Sequence, residues 1–224
     1  MSQSIVRQAG PAPVATCDPT TRVTRSLLGY GVLAGPVYVL VSVAQAATRD
    51  GFDPRRHAWS LLTVGHLGWI QVTNFILAGL MTLAYAAGLH RALAGGWVAR
   101  LVGGYGLSLV LAGLFRPDPS LGFPPGTPDG PGTVSWHGVL HFACGGVGFA
   151  CLIAACLLAG RRFARQGSRG WARYSRATGL VFLGGFLCVA AGAGQTWANL
   201  VFTATVILAW AWLCALALHL YRTH

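Results

Sequence analysis

His137 and His141 are the closest histidine pair in the chain, and they follow directly on a proline-rich loop. On a helix a separation of four residues puts both imidazoles on one face, and two imidazoles so placed are half of a divalent-metal site. Asp53, Asp118, His57 or His66 would supply the third ligand. The pair is not the zinc-protease signature. Gly138 stands where that signature has a glutamate, so the general base of that reaction is missing. The plainer reading is that both histidines sit in the membrane interface and hydrogen-bond to the loop or to Gln and Asn neighbours. His90 and His219 suit snorkelling anchors at helix ends better than haem ligands. Cys144, Cys151, Cys156, Cys188 and Cys214 lie inside apolar runs without a CxxC pair, which argues against a disulfide framework or a zinc knuckle and for small packing residues.

The elements that must position these groups are set by composition. Of 224 residues 54% are hydrophobic and 9% charged, against about 25% charged in an ordinary soluble domain. So few charges cannot cover a soluble surface, whereas a long apolar helix satisfies its own backbone in lipid. The reading is an all-α integral membrane bundle of six transmembrane helices, at about 27–47, 69–93, 97–115, 135–160, 175–196 and 197–221. Residues 1–26, broken by Pro11, Pro13 and Pro19, read as a disordered cytoplasmic tail without the apolar core of a signal peptide.

In the first helix Gly31 and Gly35 offer a close-packing face, and Tyr38, Ser42 and Gln45 form one polar stripe. In the fourth, His137, His141, Cys144, Gly148 and Cys151 share a stripe. Two loops, 48–68 and 116–134, cap one end. In the first of them Asp53 as N-cap, Pro54 and a stop at Gly65 predict a short helix, with Trp59 and Leu62 in the lipid interface. A basic connection over 161–176 carries six arginines.

The net charge of +11 comes from arginine alone, with no lysine and no glutamate. Such an excess suits nucleic acid, but here it sits in the connections between apolar runs and marks membrane topology instead. The tail, the second and fourth connections and the C-terminus hold twelve arginines, and the two capping loops hold Arg49, Arg55, Arg56 and Arg116. By the positive-inside rule both termini are cytoplasmic and the basic connection lies on an anionic inner leaflet.

Over about residues 27–220 the chain resembles a bacterial family of six-helix membrane proteins, domain of unknown function 998. The resemblance rests on GWIQVTNFILAGL at 68–80, LFRPDPSLGFPPGTP at 114–128 and HGVLHFACG at 137–145, with a basic connection before YSRATG. It implies six helices in a bacterial cytoplasmic membrane and directs attention to Asp118, His137 and His141, and it supplies no chemistry.

With that orientation Gln45, Gln71, Asn74, His137, His141, Gln195 and Asn199 fall in the outer third. An unpaired polar group in hydrocarbon is costly, so these residues are expected to share an outward-facing polar pocket, with Asp53, His57, His66, Arg116 and Asp118 at its mouth. The function expected is binding of a small molecule or lipid headgroup by a receptor-like or regulatory protein. The alternatives are a membrane enzyme acting on a lipid or isoprenoid at the outer leaflet, in which His137 and His141 hold metal or act as acid and base, and, more weakly, a transporter.

Overall fold

The computed structural model describes residues 19–192 and 194–224. Six α-helices run in sequence: α1 (Pro19–Thr48), α2 (Gly68–Ala92), α3 (Trp97–Leu114), α4 (Trp136–Arg165), α5 (Arg169–Ala191) and α6 (Thr196–Thr223), with a short 3-10 helix at Trp59–Thr63 between the first two. All six are long and apolar enough to cross a membrane. Each packs against the next, and α6 closes onto α1, so the helices form a ring. Leu33, Leu40, Leu80, Val147, Leu180 and Leu187 are among the large apolar side chains that stay exposed around it, as lipid-facing residues do.

Small residues let these helices approach. A Cβ on Gly31 would run into Tyr85 and Ala217, and one on Gly35 would press on Trp210, so the expected face of α1 packs on α2 and α6. Gly79 and Gly106 bring α2 and α3 into backbone contact. Inside α1, Pro36 has no N–H for the carbonyl of Val32. Cys214 Sγ on α6 donates to that oxygen at 3.4 Å instead.

Three expectations need correction. First, α1 begins at Pro19 rather than 27, so 19–26 are helical; the remainder of the expected tail, 1–18, lies outside the described residues. Second, the basic connection 161–176 is not a loop. Arg161, Arg162 and Arg165 are in the last turns of α4, and Arg169, Arg173 and Arg176 are in the first turns of α5. Arginine is a good helix former, and its long stem lets a charged head leave the hydrocarbon while the backbone stays helical. The reversal needs only Gln166 to Ser168. Gly167 takes φ +77, and Gly167 N–H and Ser168 N–H donate to the carbonyls of Ala164 and Phe163, the paired bonds of a Schellman ending.

Third, the segment after Asp53 is a single turn followed by the 3-10 helix. Asp53 Oδ1 accepts from Arg55 N–H at 2.9 Å, a local bond that competes with helix. Trp59 and Leu62, expected in the lipid interface, are 8% and 0% exposed. They fold inward and close the ring at its loop end.

Candidate functional site

Inside the ring, beneath the 3-10 helix, is a cavity of about 470 Å³ to which all six helices contribute lining residues. Its walls are aromatic, with Tyr38, Phe75, Tyr105, Phe149, Phe186 and Phe202, and Trp59 and Ser60 of the 3-10 helix border the loop end. Ser60, Ser108, His141 and Thr203, with the two tyrosines, are its polar residues, and no Asp, Glu, Lys or Arg is among its described lining residues. Gly145 and Gly146 leave the α4 wall open: a Cβ on Gly145 would meet nothing within 4 Å.

His141 reaches this wall because α4 lies close on α3. A Cβ on Gly148 would overlap the Ser108 hydroxyl, so only glycine permits that approach. The His141 ring is buried, and Nδ1 lies 3.0 Å from the Ala112 carbonyl oxygen and 2.8 Å from that of Phe115. Ala112 is in the last turn of α3 and Phe115 is the residue that ends it, where carbonyls have no helical partners. His141 thus finishes a neighbouring helix while standing at the cavity edge.

Most of the other expected site residues are elsewhere. Gln45, Gln71 and Asn74 join Ser42 in the seam between α1 and α2. Gln45 Nε2 donates to Gln71 Oε1 at 2.6 Å, Gln71 Nε2 to Ser42 Oγ at 3.0 Å, and Asn74 Nδ2 to the Tyr38 carbonyl at 3.1 Å. None of the three amides lines the cavity. Their amide nitrogens all find acceptors within the seam, while Gln45 Oε1 and Asn74 Oδ1 are buried without a partner among the described residues, and the polar groups expected to surround an open pocket close into a helix contact.

Asn199 is buried, and Nδ2 donates to the carbonyls of Pro54 and His57 at 2.8 and 3.1 Å, tying α6 to the first loop. Gln195 is exposed at the start of α6. Asp53 N–H donates to His57 Nδ1 at 2.9 Å. His57 Nε2 donates in turn to the Leu121 carbonyl, and the His57 ring packs against Phe52 and Phe123.

At the head of α4, Asp118 Oδ2 accepts from Ser135 N–H at 2.8 Å, and Ser135 Oγ accepts from Gly138 N–H at 3.3 Å. An acceptor there satisfies backbone donors that the helix itself cannot, and a negative charge suits the positive end of the dipole. A Cβ on Gly138 would collide with the Asp118 carboxylate. The glycine that displaces the protease glutamate is therefore a seat for this cap.

His137, expected to be buried beside His141, is exposed and stacks on Trp136 with ring centroids 3.5 Å apart. With Arg116 and Asp118 it borders a separate, shallower depression of about 360 Å³. Neither Asp53 nor Asp118 hydrogen-bonds His137 or His141 among the described residues, because both carboxylates are taken up by local backbone N–H groups. His66 is exposed. No three His, Cys, Asp or Glu side chains among the described residues come together as metal ligands, so the expected site on His137 and His141 lacks its third ligand.

A family model, described as Protein of unknown function (DUF998), matches residues 32–219. The chain belongs to this family. The DUF998 match begins inside α1, ends inside α6 and takes in every lining residue of the cavity. No curated protein and no solved structure matches this DUF998 chain.

Several residues that build the site escape a reading by motif. Arg49 donates to the carbonyls of Leu62 and Val64 at 3.2 and 2.8 Å and lies over the Phe123 ring, so a charge counted for topology also holds the cap together. Burial lowers its pKa from the usual value. Tyr105, Ser108, Phe149 and Phe202 sit in apolar runs with no spacing that sets them apart. The polar stripe of α1 carried a usable signal for Tyr38, which stacks on Trp210 with centroids 5.1 Å apart beside the cavity.

Proposed function

We propose that this protein binds a lipophilic small molecule or lipid within the bacterial cytoplasmic membrane and acts as a receptor-like or regulatory protein. The observation that carries the reading is the aromatic cavity of about 470 Å³ lined by all six helices and bordered by Trp59 and Ser60. Its volume falls in the range of small-molecule sites, roughly 300–1,000 Å³, and apolar walls with a few placed polar groups are their usual composition.

The arginine distribution supports an orientation with the loop end outside and both termini cytoplasmic, and the basic ends of α4 and α5 on the anionic inner leaflet. Binding is favoured over catalysis because no second titratable side chain hydrogen-bonds His141 among the described residues, and its Nδ1 is held by two backbone carbonyls. It is favoured over transport because the lining residues stay in the loop half and the middle of the ring and do not trace a polar path to the arginine end.

The test is recovery of the occupant. Protein purified in detergent is extracted with organic solvent and the extract is analysed by mass spectrometry, beside a Gly145→Leu variant that fills the open wall. One lipophilic compound in near-stoichiometric amount from the wild type, depleted in the variant, is the expected result. Equal recovery from the two proteins, or none from either, would count against the cavity as a binding site.

A further inference from the structure

The occupant's chemistry can be narrowed from the tautomer of His141, an inference that rests on the binding reading above. Nδ1 lies within 3.0 Å of two main-chain carbonyl oxygens, those of Ala112 and Phe115. A carbonyl oxygen only accepts, so the ring hydrogen is on Nδ1. No acidic side chain is among the described lining residues, and a cationic ring in an apolar wall would lack a counter-charge. The ring is therefore neutral, and Nε2 is a bare acceptor. It has no hydrogen-bond partner among the described residues although His141 is only 6% exposed. The rings nearest it, Phe75 and Phe142, have no N–H or O–H to offer.

We infer that the occupant is an uncharged lipophilic alcohol or phenol whose hydroxyl donates to His141 Nε2. The uncharged wall offers no counter-charge to a phosphate, carboxylate or ammonium. The aromatic side chains suit an isoprenoid or ring body. A single donor then completes the unpartnered acceptor, while an ether or ketone in the same place would set acceptor against acceptor. A site built around one hydrogen bond rejects the analogue that lacks it, because the buried partner is left unpaired.

Farnesol and farnesyl methyl ether are suitable probes, titrated calorimetrically into the full-length protein in nanodiscs. Farnesol is expected to bind at least about tenfold more tightly than the ether, the size of effect one buried hydrogen bond produces. In His141→Asn the amide Nδ2 overlays the ring Nδ1 and keeps a donor for the two carbonyls, and nothing replaces Nε2. That variant should bind farnesol as weakly as the ether and leave ether binding unchanged. Equal affinity of the wild type for both probes, or a hydroxyl preference that survives in His141→Asn, overturns the inference and leaves the cavity reading standing. Failure of the wild type to bind either probe overturns both. The wild-type comparison is independent of how well the variant folds.

Discussion

His57 Nε2 donates to the Leu121 carbonyl across 2.9 Å, and this bond joins two loops that lie 64 residues apart in sequence. The same ring accepts from Asp53 N–H, so the tautomer is fixed by both loops at once. In His57→Ala the connection is cut and Phe52 and Phe123 lose a packing partner. The expected cost is on the order of 2 kcal/mol, as for other buried side chains that combine packing with hydrogen bonds. Thermal unfolding in detergent measures it, and limited proteolysis should show new cleavage within 49–66 and 119–133. An unchanged midpoint with no new cleavage would show that the cap is held by Arg49 and Asn199 alone.

The amide seam of α1 and α2 makes a contrasting prediction. Gln71 Oε1 accepts from both Gln45 Nε2 and Asn74 Nδ2. Gln71→Leu leaves Gln45 Nε2 with only a 3.4 Å bond to the Val41 carbonyl, while Asn74 Nδ2 keeps the Tyr38 carbonyl, and should destabilise the protein by roughly 1–2 kcal/mol, the upper range for polar contacts between membrane helices. Adding Gln45→Leu removes the weakened donor and should recover part of the loss. A double-mutant cycle with no coupling between positions 45 and 71 would contradict the shared bond.

Gly148 and Ser108 set the distance between α3 and α4, and hence whether His141 reaches Ala112 and Phe115. Gly148→Ala is expected to lower the melting temperature by several degrees, since an added methyl in a close-packed contact forces the backbones apart. Ser108→Gly in the same chain frees the space and should restore most of the loss. Melting temperatures of the two single variants that simply add would argue that the residues do not meet.

Topology is open to a direct check. Single cysteines at Thr133 and Ser168, both exposed, in a background lacking the six native cysteines, should react oppositely with an impermeant thiol reagent in intact cells, with position 133 labelled. Replacing four of the six arginines of 161–176 by glutamine should blur that asymmetry, because each contributes about 1 kcal/mol near an anionic leaflet. Labelling at 168 instead of 133 would invert the proposed orientation.

The sequence alone determined the class of molecule: six apolar runs, their order, and the gathering of arginine at one end. These are legible because hydropathy and charge are local properties that the bilayer reads one segment at a time. It also marked the fourth-helix stripe from His141 to Cys151, which packs on α3, where Cys151 Sγ would lie 3.1 Å from a Cβ on Gly104. It went astray at 161–176, where charge density suggested a loop although arginine propagates a helix as readily as it leaves one, and Gly167 alone marked the turn. Only the tertiary structure decided which polar residues meet. Gln45, Gln71, Asn74, His141 and Asn199 looked alike as polar side chains at one depth. Their partners are an amide 26 residues away, the carbonyls of a helix end and the backbone of a distant loop. Depth along a helix is written in the sequence, but rotation about its axis is fixed by the neighbours. On that rotation depends whether a polar group closes a seam, caps a helix or edges an apolar cavity.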